Sequence, residues 1–254
     1  MSGPILVLKG IRKAFPGVQA LADVSLDVYR GEVHAVVGEN GAGKSTLIKV
    51  AAGVYEPDAG EIVIGGRTVQ LRGPQHAASL GIVVIHQEPH LFPTLSVLEN
   101  LYLGIDGGNG RLGFLNWRRM ARRAQAVLDE LGVNLPLDGV AGELSAAQQQ
   151  LLQIARALIQ DARVLIMDEP TSSLSQREVE MLFTIVRGLR DRGVGIVYIS
   201  HRLEEIFTLA DRVSVMRDGH LVGTFSITEV SPSDLVARMV GREITQLFPR
   251  TPRV

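Results

Sequence analysis

The run Gly38-Glu39-Asn40-Gly41-Ala42-Gly43-Lys44-Ser45 fits the spacing G-x-x-x-x-G-K-[ST], between an apolar segment, Val33 to Val37, and a helix-period run, Thr46 to Ala52, that stops at Gly53. Glycines let the backbone curl with its N–H groups inward, and a helix opening near Lys44 turns its positive dipole end toward the same point. The pattern therefore suits a chain of phosphates. Lys44 would neutralise the β- and γ-phosphates and the Ser45 hydroxyl would hold Mg2+. The candidate nucleotide-binding set here is Gly38, Glu39, Asn40, Gly41, Ala42, Gly43, Lys44, Ser45 and Thr46. A glycine-rich turn with an incidental lysine is the plain alternative, and the strand-helix setting together with the Lys-Ser pair argues against it. A second apolar run, Val164 to Met167, ends in Asp168-Glu169. There the first carboxylate can bind Mg2+ and the second can orient an attacking water. Two acids opening a surface loop would be the reading had no phosphate loop preceded them. Asn-Lys-x-Asp, which would speak for guanine, is absent.

These groups need rigid elements to hold them. Short apolar runs bounded by Gly, Pro or charges read as strands: Ile5 to Leu8, Val24 to Val28, Val33 to Val37, Ile82 to Ile85, Val164 to Met167 and Val194 to Ile199. β-Branched residues on both faces of the later ones predict a mostly parallel buried sheet. Hairpin-like stretches at each end, the clearer being Val213 to Met216 turning through Asp218-Gly219 into Leu221 to Phe225, predict a smaller antiparallel sheet beside it. From 88 to 160 the texture turns helical, with Met120, Ala124, Val127, Leu128 and Leu131 on one face and Gly132 closing it. The expected fold is thus α/β, a phosphate-loop NTPase core with an antiparallel β subdomain and an inserted helical subdomain. The core is assigned to 1–87 and 161–242, the helical subdomain to 88–160, and a tail or linker to 243–254. Leu91-Phe92-Pro93-Thr94-Leu95 reads either as an exposed docking edge or as packing for the helical subdomain.

Composition narrows the classes. The 254 residues carry 26 basic and 27 acidic side chains, a net charge of −1, which argues against a nucleic-acid partner bound through bulk charge. At 46% hydrophobic the chain can bury a large core, and disorder is excluded as its main state. No run approaches the roughly 18 apolar residues of a membrane span, and Met1 to Lys9 lacks the pattern of a signal peptide. Without cysteine there is no disulfide or thiolate metal site, and a reducing cytoplasm is the simplest compartment.

Leu144-Ser145-Ala146-Ala147-Gln148 lies 20 residues before Asp168 and opens a helix through Leu158. It resembles the signature motif of ABC ATPases, which in that family faces the γ-phosphate held by a second domain in a head-to-tail dimer. Chemically, Ser145 and Gln148 can form a capping box, and the plain alternative is that they merely start a helix. The resemblance extends over almost the whole chain. Gln87 resembles the glutamine that links the metal site to the helical subdomain's movement, and His201 the switch histidine that contacts the γ-phosphate; a lone histidine at a strand end is otherwise structural. Phe15, 29 residues before Lys44, resembles the aromatic that stacks on adenine, with core packing as its rival. The resemblance implies ATP with Mg2+ held by Ser45, Gln87 and Asp168, and catalysis by Glu169, His201, Gln87 and Lys44.

Two departures stand out. Ala146 and Ala147 occupy positions that are commonly glycine in the family, and Ser175 stands where aspartate is usual, although Ser175 with Glu178 can still cap the next helix. With His86-Gln87-Glu88 and Tyr198-Ile199-Ser200-His201-Arg202, these departures resemble the ATPases of monosaccharide importers of the ribose, galactose and xylose type, in which two ABC domains are often fused. The implied partners are transmembrane permease subunits at the cytoplasmic face, a second ABC domain in cis or in trans, and indirectly a periplasmic or extracellular solute-binding protein. A soluble ABC ATPase uncoupled from transport, or an importer ATPase for a non-sugar solute, is the alternative. A helix from Ser231-Pro232 to Val240-Gly241-Arg242-Glu243, followed by a proline-broken basic stretch, is expected to lead toward a second domain. The expectation is poor dimerisation and hydrolysis by the isolated chain, because a homodimer sets alanine methyls against both γ-phosphates.

Overall fold

The computed structural model describes residues 3–87, 91–105 and 115–241. Glu88 and the expected tail, 243–254, lie outside them. The strands are β1 (Leu6–Phe15), β2 (Val18–Val28), β3 (Val33–Val37), β4 (Ala59–Ile64), β5 (Arg67–Thr68), β6 (Ile82–Ile85), β7 (Val164–Asp168), β8 (Gly195–Ile199), β9 (Arg212–Arg217) and β10 (His220–Ser226). The helices are α1 (Lys44–Ala51), α2 (Pro74–Ser79), α3 (Val97–Tyr102), α4 (Trp117–Leu131), α5 (Ala146–Ile159), α6 (Gln176–Asp191), α7 (Leu203–Leu209) and α8 (Pro232–Val240).

One sheet runs β10-β9-β3-β8-β7-β6 and is parallel from β9 to β6. A second, antiparallel sheet runs β2-β1-β4-β5. Strand period two divides the parallel sheet's faces between two cores. Ala35, Leu165, Met167, Ile196 and Tyr198 join the core shared with α3 to α6. Val36, Ile166, Val197 and Ile199 point the other way, into a core closed by the antiparallel sheet and α1. Each such fully buried aliphatic stabilises the fold by roughly 1.5–3 kcal/mol, which fixes the register holding the strand ends.

The Val213 to Phe225 hairpin forms as expected but does not join the antiparallel sheet. Its first strand pairs in parallel with β3, Ala35 opposite Val213, and β10 becomes the edge of the main sheet. Four consecutive buried residues, Val213 to Met216, are what a strand covered on both faces requires. The helices α3, α4 and α5 pack on one another. Phe92 is exposed while Leu91 packs against the helical core, so the two readings of that edge divide between neighbouring residues. Buried Asn100 fixes the turn: its carbonyl oxygen accepts from Phe92 N at 2.8 Å, and its amide donates to the Phe92 and Ser96 carbonyls at 3.0 Å.

Candidate functional site

The carboxyl ends of the parallel strands share one edge, where a doubly wound sheet binds ligands. β3 feeds the loop from Gly38 to Gly43, β7 ends in Asp168 with Glu169 next, β8 is followed by Ser200 and His201, and β6 by His86 and Gln87. Two glycines are dictated by contact. A side chain at Gly38 would strike the Met216 carbonyl, and one at Gly43, where φ is +101°, would lie 2.6 Å from the Ala20 carbonyl. The loop is pressed between β2 and the β9–β10 turn, whose Gly219 N donates to the Ala42 carbonyl at 3.2 Å. Gly43 caps α1 with no side-chain acceptor, which leaves the first N–H groups of the helix open to an anion.

Lys44 Nζ donates to the Gly38 and Glu39 carbonyls at 2.7 and 3.0 Å, so the ammonium arches over its own loop. Burial depresses the Lys44 pKa, opposed by the charges of Glu169 and Asp168. Burial first and the Glu169 charge second raise that of Asp168, opposed by Lys44 and Lys49. Glu169 adopts φ +47°, its N–H donates to the Ile199 carbonyl at 2.9 Å, and its Oε1 lies 3.3 Å from His201 Nδ1. The structure therefore gathers Lys44, Asp168, Glu169 and His201 around the loop.

Gln87 is exposed two residues past the Ile85–Met167 pair. Phe15 is not a core residue: it is 36% exposed at the end of β1, edge-on to Tyr55 at 5.2 Å. Ser145 and Gln148 form the expected capping box on α5, with Ser145 N bonded to Gln148 Oε1 at 3.0 Å. They stand at the start of α5, in the helical group, and no described contact joins them to Lys44 or Asp168. Ser175 and Glu178 cap α6 in the same way.

Beneath the rim lies a carboxylate that the sequence pattern did not single out. Glu205, 3% exposed on α7, accepts from Thr171 Oγ1 at 2.8 Å, Tyr198 OH at 2.9 Å and Ser200 Oγ at 2.8 Å, and pairs with Arg202 at 3.0 Å. Glu204-Glu205 reads as a solvated pair. The available signal was helical spacing, which sets Glu205 with Ile206 and Leu209 on the buried side.

A family model described as ABC transporter matches residues 21–172. The putative ribose/galactose/methyl galactoside import ATP-binding protein 2 of Agrobacterium fabrum is 50% identical over 246 residues, 97% of this chain and 48% of that protein. The ribose import ATP-binding protein RbsA 2 of Rubrobacter xylanophilus is 51% identical over 98% of this chain and 48% of its own length. The chain thus spans about half the length of the curated relatives it matches. Among solved structures, an ATP-binding cassette of an ABC transporter in its ADP conformation superposes with a TM-score of 0.82 at 30% identity, covering 94% of this chain and 99% of the other. A nucleotide-free cassette gives 0.80 at 30% identity, covering 91% and 97%.

Proposed function

Because the chain belongs to the ABC transporter family, we propose that it binds MgATP at the Gly38 to Thr46 loop and hydrolyses it to drive import of a monosaccharide. The observation that carries this reading is Glu169, held in a left-handed conformation beside Asp168 and 3.3 Å from His201 Nδ1 at the mouth of the loop. Lys44 and the open end of α1 bind the phosphates, Glu169 orients and deprotonates the attacking water, and His201 contacts the γ-phosphate. Phe15 offers its exposed ring to adenine. No three acidic, histidine or cysteine side chains among the described residues converge on a metal. A cation held by Ser45, Asp168 and Gln87 must therefore complete its shell from phosphate and water, which suits Mg2+. Bound with the nucleotide, it would neutralise charge on the phosphate oxygens.

Ser145 and Gln148 serve a second ABC domain, in cis or in trans. The permease docks near Gln87, on a groove of about 240 Å³ between α1, α2, β6 and α5 lined by Val54, Ala78, Val83, Gln153 and Arg156, and along the edge that presents Phe92. Such a partner supplies the membrane attachment, at the cytoplasmic face. Among the described residues no helix is long and apolar enough to cross a membrane. The sugar assignment is supported by the relatives' names and by the Ala146-Ala147 signature.

Phosphate release by the purified chain tests the chemistry. Glu169→Gln should retain ATP binding and lose about 100-fold or more in turnover; parent-like turnover would remove Glu169 from the role. Ala146→Gly with Ala147→Gly should raise turnover by the isolated chain. Sugar-dependent stimulation after mixing with permease and binding protein tests the transport reading, and its absence with every monosaccharide would favour another solute.

A further inference from the structure

Thr171 follows Glu169 by two residues and Ser200 directly precedes His201, and both hydroxyls donate to the one buried carboxylate of Glu205. Thr171 and Ser200 are each 3% exposed, and Tyr198, fully buried, donates to the same carboxylate. Arg202 closes the set twice, through its guanidinium on Glu205 Oε1 and through its N–H on Ser200 Oγ at 3.0 Å. Three hydroxyls and a guanidinium aim donors at one group, an arrangement that a carboxylate satisfies and an amide cannot, having one acceptor oxygen and no counter-charge for Arg202. The other ties described between the two segments are the Glu169 N–H on the Ile199 carbonyl and the 3.3 Å approach of Glu169 Oε1 to His201 Nδ1.

We propose that Glu205 is a positioning residue that joins the loop after Glu169 to the turn bearing His201, so that the water-activating and γ-phosphate-contacting groups move as one body. It reaches no phosphate itself and acts by keeping the Glu169–His201 pair in register. A displacement of about 1 Å in such a pair can cost on the order of 100-fold in rate. Burying a carboxylate is expensive unless every lone pair is used, so its position is held tightly.

This inference rests on the ATPase reading of the same site, and the test separates the two. Glu205→Gln should lower kcat by about 10- to 100-fold while leaving the ATP dissociation constant within about twofold. Thr171→Val, isosteric but without the hydroxyl, should fall the same way, and Thr171→Ser should restore turnover. Amide hydrogen exchange without nucleotide should quicken together in residues 169–175 and 200–203 of both deficient variants, with β7 and β8 unchanged. A chain that releases no phosphate even with Ala146→Gly and Ala147→Gly defeats the ATPase reading, and the exchange experiment still decides the role of Glu205. Parent-like exchange, loosening of one segment alone, loss spread evenly through β7 and β8, parent-like turnover in Glu205→Gln, or failure of Thr171→Ser to restore it would each overturn the proposal.

Discussion

The parallel sheet buries charge at both ends, and the two ends treat it differently. At the amino edge, Arg212 reaches Asp27 at 2.9 Å and Glu32 at 3.2 Å, and Tyr29 N donates to Glu32. His34, wholly buried, sets Nδ1 2.9 Å from the Asp27 carbonyl and Nε2 2.8 Å from Ser214 Oγ, which continues to Thr224. Burial alone would raise the Asp27 pKa, yet hydrogen bonds from Arg212 and Tyr29 bring it below its ordinary value. Burial still prevails at Glu32 and His34, but each of these has hydrogen-bond partners within the cluster; at the carboxyl edge burial wins at both Lys44 and Asp168, and each is pushed toward its neutral form. One edge is a finished network, and the other is left short of partners that an incoming phosphate and cation would supply. The contrast separates residues that hold the sheet from residues that wait for ligand.

The amino edge should therefore carry stability, and acid should expose this first. Burial, then the Arg212 charge, depresses the His34 pKa from 6.5 to about 4. The Asp27 carbonyl accepts from Nδ1–H and the Ser214 hydroxyl donates to Nε2, which is the neutral ring with its proton on Nδ1. A histidine whose folded pKa lies below its unfolded value contributes fully above pH 6.5 and loses that contribution as pH falls toward 4. The loss should reach about 3 kcal/mol. Urea midpoints measured across this range for the parent and for His34→Gln should converge at low pH. Parallel curves would mean that the ring is not held neutral.

Arg212→Ala comes next. It strands Asp27 and the nearly buried Glu32, but Arg212 keeps 27% of its side-chain surface in water, so the cost should be about 2 kcal/mol, less than for a fully buried pair. ATP affinity should stay unchanged, because no described contact links this cluster to the phosphate loop. A nucleotide defect in a folded Arg212→Ala protein would break the division between the edges.

The two edges were not equally legible. Phosphate-loop chemistry is local: Gly38 and Gly43 are demanded by carbonyls pressing on the loop, and Lys44-Ser45 must follow within one turn, so the spacing alone announces them. The capping boxes at Ser145 and Ser175 are local for the same reason and form as spaced, and the helix expected to open at Ser231 carries one with Asp234 as well. The His34–Asp27–Arg212 network joins residues up to 185 positions apart and leaves no mark within any window. The hairpin at Val213 illustrates the same limit. Its own pairing follows from Asp218-Gly219, but its place in the main sheet depends on β3, far upstream in the chain. Glu205 escaped because adjacent glutamates look solvated until β8 and the Thr171 loop close over one of them.

The smallest expected effect gives the sharpest test, because its sign decides. Asp168 has its proton affinity raised by burial and by the neighbouring Glu169. A carboxyl whose folded pKa exceeds its unfolded value contributes stability at low pH and loses it as pH rises through the folded value, so at neutral pH the ionised Asp168 carries a cost. Asp168→Asn removes that cost and should stabilise the nucleotide-free protein by about 1 kcal/mol, the scale at which active-site charge is commonly exchanged for stability. Asp27→Asn should do the opposite, since it removes the negative charge that pairs with Arg212. If Asp168 holds the cation as proposed, MgATP should reverse the first order: the parent gains binding free energy that the Asp168→Asn variant cannot. Thermal melts of both variants with and without MgATP supply all the comparisons. If Asp168→Asn melts below the parent without nucleotide, the carboxyl edge is as fully paired as the amino edge, and the distinction between a structural and a ligand-awaiting end of the sheet does not hold.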